Sequence, residues 1–201
     1  MIVSAPPGAG KTTITRHLCD CDPSTSLSIS VTTRPQRPGE IDGTHYHFVE
    51  KSTFNHMIEN NLLLEYAHIF GYQYGTPRHL VEQALNQGHD VIFDIDWQGK
   101  QNLTQNFTDD VVSIFLLPPS LNQLAQRMHH RGRDTKQEID RRMTIACDEI
   151  KHWKEYDYIL INHTITHSVT TLKNILTAER LKRKRQTNLP EVIDDILKVQ
   201  S

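Results

Sequence analysis

Ala5-Pro6-Pro7-Gly8-Ala9-Gly10-Lys11-Thr12-Thr13 joins a short apolar run, residues 2–5, to a run with helical spacing, residues 11–19. A strand that ends in glycines and reopens as a helix beginning Lys-Thr has a specific use. Glycine lets the backbone turn its N–H groups toward one point, and the helix N-terminus adds positive dipole there. A lysine at the helix start reaches the β and γ phosphates of a nucleotide, and the hydroxyl that follows can ligate Mg2+. The stretch therefore predicts a P-loop: Ala5, Pro6, Pro7, Gly8, Ala9, Gly10, Lys11, Thr12 and Thr13 bind ATP, Lys11 is catalytic and Thr12 ligates the metal. One departure stands out, because the first glycine of the general pattern is Ala5 here.

Outward from this loop the chain alternates between strand-like and helix-like segments, with no internal repeat. Strands are expected at 2–5, 27–31, 46–49, 62–70, 91–95, 111–117 and 158–161. Helices are expected at 11–19, 52–61, 77–87, 120–130, 135–153 and 169–185. Several strands are short and solidly apolar, as buried parallel strands are. Thr135-Lys-Gln-Glu138 matches a capping box and opens an amphipathic helix with Ile139, Met143, Ala146 and Ile150 on one face. The fold class is α/β, a P-loop core whose parallel sheet is flanked by helices. Two stretches break the rhythm. A turn-rich segment followed by hairpin-like strands, 32–76, reads as an inserted lobe, and 121–149, dense in arginine around Gly132, reads as a lid; the core is then 1–31, 77–120 and 150–201. Residues 190–201 carry no assignable task.

Composition narrows the choice further. At 201 residues, with 37% hydrophobic and 23% charged, the chain can bury roughly 70% of its unfolded surface as one domain. No run approaches a membrane span, and Met1-Ile2-Val3-Ser4-Ala5 has no basic segment ahead of an apolar one, so a cytoplasmic protein is expected. Three cysteines without a CxxC pair argue against a disulfide frame or zinc ribbon. A net charge of −2 gives no global field for nucleic acid, and Lys182-Arg183-Lys184-Arg185 reads as the cationic end of a helix. Twelve histidines, His45-x-His47 and His129-His130 among them, lack partners at metal-ligand spacing. Asp96-Trp97-Gln98-Gly99 spells the Asp-x-x-Gly of GTP switches, but the chain has no Asn-Lys-x-Asp to read guanine in that manner.

The more specific series is Ser30-Val-Thr-Thr33-Arg34-Pro-Gln-Arg37-Pro-Gly39-Glu40-x-x-Gly43-x-x-Tyr46, then Glu65 and Tyr74-Gly75-Thr76. It continues through Phe93-Asp94-Ile95-Asp96-Trp97-Gln98-Gly99, Pro118-Pro119-Ser120, Arg127-x-x-x-Arg131-Gly132 and Arg142. In this order, over nearly the whole chain, the series resembles guanylate kinase, whose bacterial members often carry Ala at the position of Ala5. The resemblance implies Mg·ATP in the P-loop and GMP, or dGMP, in the inserted lobe, with no nucleic-acid or membrane partner. It also implies that Ser30, Arg34, Arg37, Tyr46, Glu65, Tyr74, Gly75, Thr76 and Asp96 bind GMP.

The residue types suit that chemistry. Two arginines and two tyrosine hydroxyls can converge on a dianionic phosphate. A carboxylate at 65 accepts from guanine N1–H and the 2-amino group together, whereas adenine presents an acceptor at N1. Arg127 and Arg131, at i and i+4, share a helix face beside a Gly132 hinge, and the resemblance adds Arg142 as a third lid arginine. Arg34, Arg127, Arg131 and Arg142 are thus expected to act with Lys11 in catalysis. Asp94 and Asp96, at the end of a buried strand, hold waters on Mg2+ or brace Arg34, two roles the sequence does not divide. Asn162 matches the family on the ATP side, but Asn162-His163-Thr164 departs from the acidic pair common there. Two rival readings are a related P-loop kinase with another phosphorylated acceptor, which would not need Glu65, and a non-enzymatic guanylate-kinase-like binding module, against which Lys11 speaks.

Overall fold

The computed structural model describes residues 1–107, 110–130 and 135–198. The first half contains β1 (Ile2–Ser4), α1 (Lys11–Cys21), β2 (Thr25–Ser28), β3 (Val31–Thr32), β4 (His47–Phe48), α2 (Lys51–Glu59), β5 (Leu63–Ile69), β6 (Tyr72–Pro77) and α3 (Arg78–Asn86). The second contains β7 (Asp90–Asp94), α4 (Trp97–Asn106), β8 (Ser113–Leu117), α5 (Leu121–His130), α6 (Lys136–Ile150), β9 (Tyr158–Ile161), α7 (Ile165–Arg180) and α8 (Leu189–Lys198).

Five strands form one parallel sheet in the order β2-β7-β1-β8-β9. With β1 central, successive side chains leave on opposite faces. Val3 packs with Ile14, Leu18, Ile114, Leu124 and Leu172, while Ile2 packs with Leu64, Val81, Phe93 and Leu103. This explains why the strands read as unbroken apolar runs, since both faces are covered. The chain winds outward from β1 in both directions, and a sheet of this type binds ligands beyond the carboxyl ends of its strands at the point where the winding reverses. The P-loop leaves β1 at that point.

A second, four-stranded sheet in the order β4-β3-β6-β5 spans Val31 to Pro77, with its own small core of Val31, Phe54 and Leu63. Phe70 and Gly71, at φ 54 and 84, make the two-residue turn between β5 and β6. Positive φ at both central positions is the type I′ geometry that matches strand twist.

Some boundaries differ from the sequence reading. Thr135 is the N-cap of α6, its hydroxyl accepting from the Glu138 N–H at 3.3 Å, but the helix stops at Ile150 and tightens into a 3-10 turn over Lys151–Glu155. α7 starts at Ile165 rather than 169, because Thr164 accepts from the His167 N–H and caps it. It ends at Arg180, and Arg183–Arg185 form a separate 3-10 turn. α4 was not anticipated, and β6 was expected only as part of the hairpin-like strands of 32–76, without bounds of its own. α4 carries little apolar periodicity and is set by the Asp96 cap, while β6 is polar and rests on its pairing with β5 and β3. Of the segment 190–201, residues 190–198 fall in α8, whose Val192, Ile193, Ile196 and Leu197 are exposed, and 199–201 lie outside the described residues. No helix among the described residues is long and apolar enough to cross a membrane.

Candidate active site

The P-loop backbone takes the conformation its glycines permit. Gly8 and Gly10 have φ of 87 and 97, and a Cβ on either would lie 3.1 Å from a neighbour, Met128 of α5 and the Asn162 amide respectively. Ala5 is buried without a left-handed φ, so alanine serves where the general pattern has its first glycine. Lys11 opens α1 with its ammonium 2.8 Å from Asp94 Oδ1 and donating to the Ile95 carbonyl at 3.0 Å. Burial alone would lower its pKa, yet the paired Asp94 carboxylate outweighs this and holds it above the ordinary lysine value. Thr12 is exposed beside it.

A cavity of about 540 Å3 extends from this loop to the second sheet. It gathers Ala5, Pro6, Pro7, Gly8, Gly10, Lys11, Thr12 and Thr13 from the loop side, with Ser30, Arg34, Arg37, Tyr46, Glu65, Tyr74, Asp94, Asp96 and Arg142 around the rest. Most of the residues singled out in the sequence therefore meet in one place. Ala9 contributes its carbonyl to the outer side of the loop instead.

At the far end Glu65 is only 5% exposed and accepts the Thr76 hydroxyl at 2.6 Å. Burial raises its pKa to about 7, with the Thr76 bond opposing and the nearby Asp96 charge adding. Gly99, in the first turn of α4, explains how a carboxylate fits there. A Cβ at that position would stand 2.6 Å from Glu65 Oε2. Gly75 is likewise pressed against Leu63 and the Glu65 carbonyl.

Arg34 is 6% exposed and forms a two-pronged pair with Glu40, Nη2 to Oε1 at 2.8 Å and Nη1 to Oε2 at 3.0 Å. Its guanidinium also lies over the Tyr46 ring, 5.3 Å from the centroid, and Tyr46 meets Tyr74 edge-on at 5.9 Å. Arg37 is exposed at the rim, its backbone N–H donating to the same Glu40. The sequence reading gave the bracing of Arg34 to Asp94 or Asp96; the structure gives it to Glu40. Asp94 holds Lys11, and Asp96 caps α4 by accepting from the Gly99 N–H at 2.9 Å. Glu40 sat in the quoted motif without a role, and its spacing of six from Arg34 around a Pro/Gly loop was the available signal.

The arginines expected in the lid divide. Arg142 faces the cavity and is 3.3 Å from Glu138, one turn earlier on α6. Arg127 is on the other side of the P-loop, where Nη2 donates to the Asn162 carbonyl at 3.0 Å and Nη1 to the Ala9 carbonyl at 3.5 Å. Asn162 is buried, donating its amide to the Ala9 carbonyl at 2.7 Å and accepting from Ser168 at 2.9 Å. Both residues thus fasten the outer face of the P-loop, beside a second hollow that includes His130 and His163. Arg131 lies outside the described residues. Glu149, which sequence reasoning passed over, also lines the main cavity.

A glycine cradle with its lysine, facing a separate lobe that offers arginine, tyrosines and a buried carboxylate, defines a P-loop kinase of a small phosphorylated acceptor. The guanylate kinase family model matches residues 1–179, and the chain belongs to the guanylate kinase family, a family of nucleotide kinases. It is 51% identical over 188 residues to the guanylate kinase of Zymomonas mobilis, covering 94% of this chain and 87% of that one. The guanylate kinase of Nitrobacter winogradskyi is 51% identical over 195 residues, covering 97% and 89%. The crystal structure of guanylate kinase from Anaplasma phagocytophilum superposes with a TM-score of 0.81 at 34% identity, covering 96% of this chain and 92% of that one.

Proposed function

We propose that this chain transfers the γ-phosphoryl group of ATP to GMP, yielding ADP and GDP, with the residue roles that follow. The observation that carries the reading is Glu65, a nearly buried carboxylate placed in the same cavity as the P-loop lysine and kept in reach by Gly99. A carboxylate there accepts two hydrogen bonds from the N1–H and 2-amino edge of guanine, with Thr76 and Ser30 beside it. Arg34, already oriented by Glu40, reaches the acceptor phosphate with Arg37, Tyr46 and Tyr74. None of these contacts addresses the ribose 2′-hydroxyl, so dGMP is accepted as well.

On the donor side the P-loop amides hold the β and γ phosphates, and Lys11 moves from Asp94 onto them. Thr12 and Asp94 fit Mg2+, as hard oxygen donors bordering one cavity, Thr12 directly and Asp94 through water. A Mg2+ held by these residues would supply positive charge to the phosphates during transfer. Arg127 and Asn162 keep the loop in shape, with the adenine base in the hollow beside His163. The segment 121–149 acts as the lid and 32–76 as the acceptor lobe. The transfer needs positioning and positive charge more than proton removal, because the acceptor oxygen is already an oxyanion. Arg142 supplies such charge from α6, and Arg131 is assigned to the same task by its place in the motif.

An ADP-release assay with Mg·ATP and GMP, dGMP, AMP, CMP, UMP and TMP tests the reading. Turnover with GMP and dGMP and background with AMP are expected; no turnover with any acceptor would sink it. Gly99→Ala adds a sharper expectation. The new methyl pushes the Glu65 carboxylate off its position, and a displacement on the order of 1 Å costs about 10²-fold in kcat/KM for GMP. ATP affinity should be unchanged, and titration of each ligand by calorimetry separates the two.

A further inference from the structure

Glu149 occupies a place that stability alone does not explain. It is 7% exposed, and among the described residues no hydrogen bond or ion pair fixes its carboxylate, whose oxygens are not among the fully buried unpaired atoms and border the cavity instead. It stands in the last turn of α6, where the helix dipole opposes a negative charge. Asp96 opposes it as well, and burial leads these effects in raising its pKa to about 7. Keeping a carboxylate ionised with so little solvent and no fixed partner costs free energy. An alanine or methionine there would avoid every one of these penalties. A side chain kept against such penalties, in the cavity that holds the reaction, points to use rather than packing.

Its surroundings indicate the use. The cation that acts on it is Lys11, and Glu149 acts on Lys11 in turn. The Lys11 ammonium has three N–H donors, of which two are taken by Asp94 and the Ile95 carbonyl. On α6, Glu149 is seven residues from Arg142, two turns along the same face, and both side chains border the cavity. The helix that carries an arginine to the phosphates therefore carries, at its other end, a carboxylate toward the P-loop lysine.

We propose that Glu149 is a positioning residue for Lys11, a role that rests on the kinase reading given above. When Lys11 leaves Asp94 for the nucleotide, it loses its counter-charge. Movement of α6 that brings Arg142 inward brings Glu149 onto the remaining N–H direction of the ammonium. The lysine is then gripped between lid and nucleotide, and its final position depends on the lid having closed.

Glu149→Gln keeps the shape and removes the charge. Measured with Mg·ATP and GMP beside the parent protein, kcat should fall about tenfold, as misplacement of a reacting group does. The calorimetric affinities for ATP and GMP should stay within about twofold, or ATP should bind more tightly with one negative charge gone. In a Lys11→Ala background the same substitution should change kcat by less than about twofold, because its target is absent. A kcat within threefold of the parent overturns the proposal. So does a joint fall in kcat and both affinities, which would mark a structural role, and so does an equal loss in the Lys11→Ala background. Glu149→Met, which packs as an apolar side chain, decides the matter by the same criteria if the glutamine variant melts early. A parent protein inactive on every acceptor would overturn the kinase reading and this inference with it, whereas an active parent with an unaffected variant overturns only the latter.

Discussion

Lys11→Ala is expected to lower kcat with Mg·ATP and GMP by about 10²–10³-fold, the usual loss when one preorganised donor to developing charge is removed. The ammonium is fixed by Asp94 at 2.8 Å and the Ile95 carbonyl at 3.0 Å. Its reorganisation on binding is a short swing from one anion to another, so little of its electrostatic effect is spent on ordering. Alanine removes that charge and leaves Asp94 uncompensated in the cavity, which repels the triphosphate and weakens ATP binding in addition. GMP should notice neither change much. The parts that recognise it are held by other bonds, Arg34 by Glu40 and Glu65 by Thr76. Calorimetric GMP affinity within about threefold of the parent, alongside the kinetic loss, is the expected pair of results. A variant turning over near the parent rate would refute the role of the loop.

What the sequence disclosed and what it withheld follow from the range of the interactions involved. The P-loop is a local structure, in which glycine conformations and the helix start lie within nine residues, and it was legible in full. The Thr135 cap was legible for the same reason. The buried strands declared themselves through unbroken apolar runs. α4 did not, since Gly99, Lys100 and Leu103 face inward, and two of these are not apolar. Gly99 is small because Glu65, 34 positions earlier, stands against it, and no window along the chain contains both. The bracing of Arg34 shows a subtler failure. Asp94 and Asp96 were plausible partners because they end a strand near the P-loop, but each is consumed by a nearer donor, Lys11 for one and the Gly99 N–H for the other. Arg127 and Asn162 were named as ligand-side residues; their side chains also hydrogen-bond to the Ala9 carbonyl of the P-loop, a contact between positions over 100 residues apart that no local pattern announces. Glu149 was invisible because one acidic residue in an amphipathic helix reads as solvent-facing until the helix is docked.

Glu65→Gln is expected to produce the other large loss, about 10³–10⁴-fold in kcat/KM for GMP with ATP affinity kept, because a site built on paired polar groups is left with one unpaired. The carboxylate offers two acceptors to two donors of guanine. An amide offers one acceptor and places its N–H2 against the second donor, so one hydrogen bond is lost and a repulsion replaces it. The variant should not turn toward AMP in exchange, since Thr76, Arg34 and the tyrosines remain arranged for the same ligand and nothing new reads adenine. The pH dependence separates this loss from simple misfolding. On the function proposed above GMP requires the ionised carboxylate, and burial raises the pKa of Glu65 to about 7. Protonation therefore competes with GMP: affinity is full well above pH 7 and falls as pH drops through that value, approaching tenfold per unit below it. From pH 8 to pH 6 the calorimetric Kd for GMP should rise about tenfold in the parent from Glu65 alone, and the second ionisation of the GMP phosphate, near pH 6, adds to that rise. The phosphate contribution is common to both proteins and the glutamine variant has no carboxyl at 65 to titrate, so the difference between their profiles isolates Glu65. Identical profiles would mean that Glu65 does not carry the charge that guanine needs.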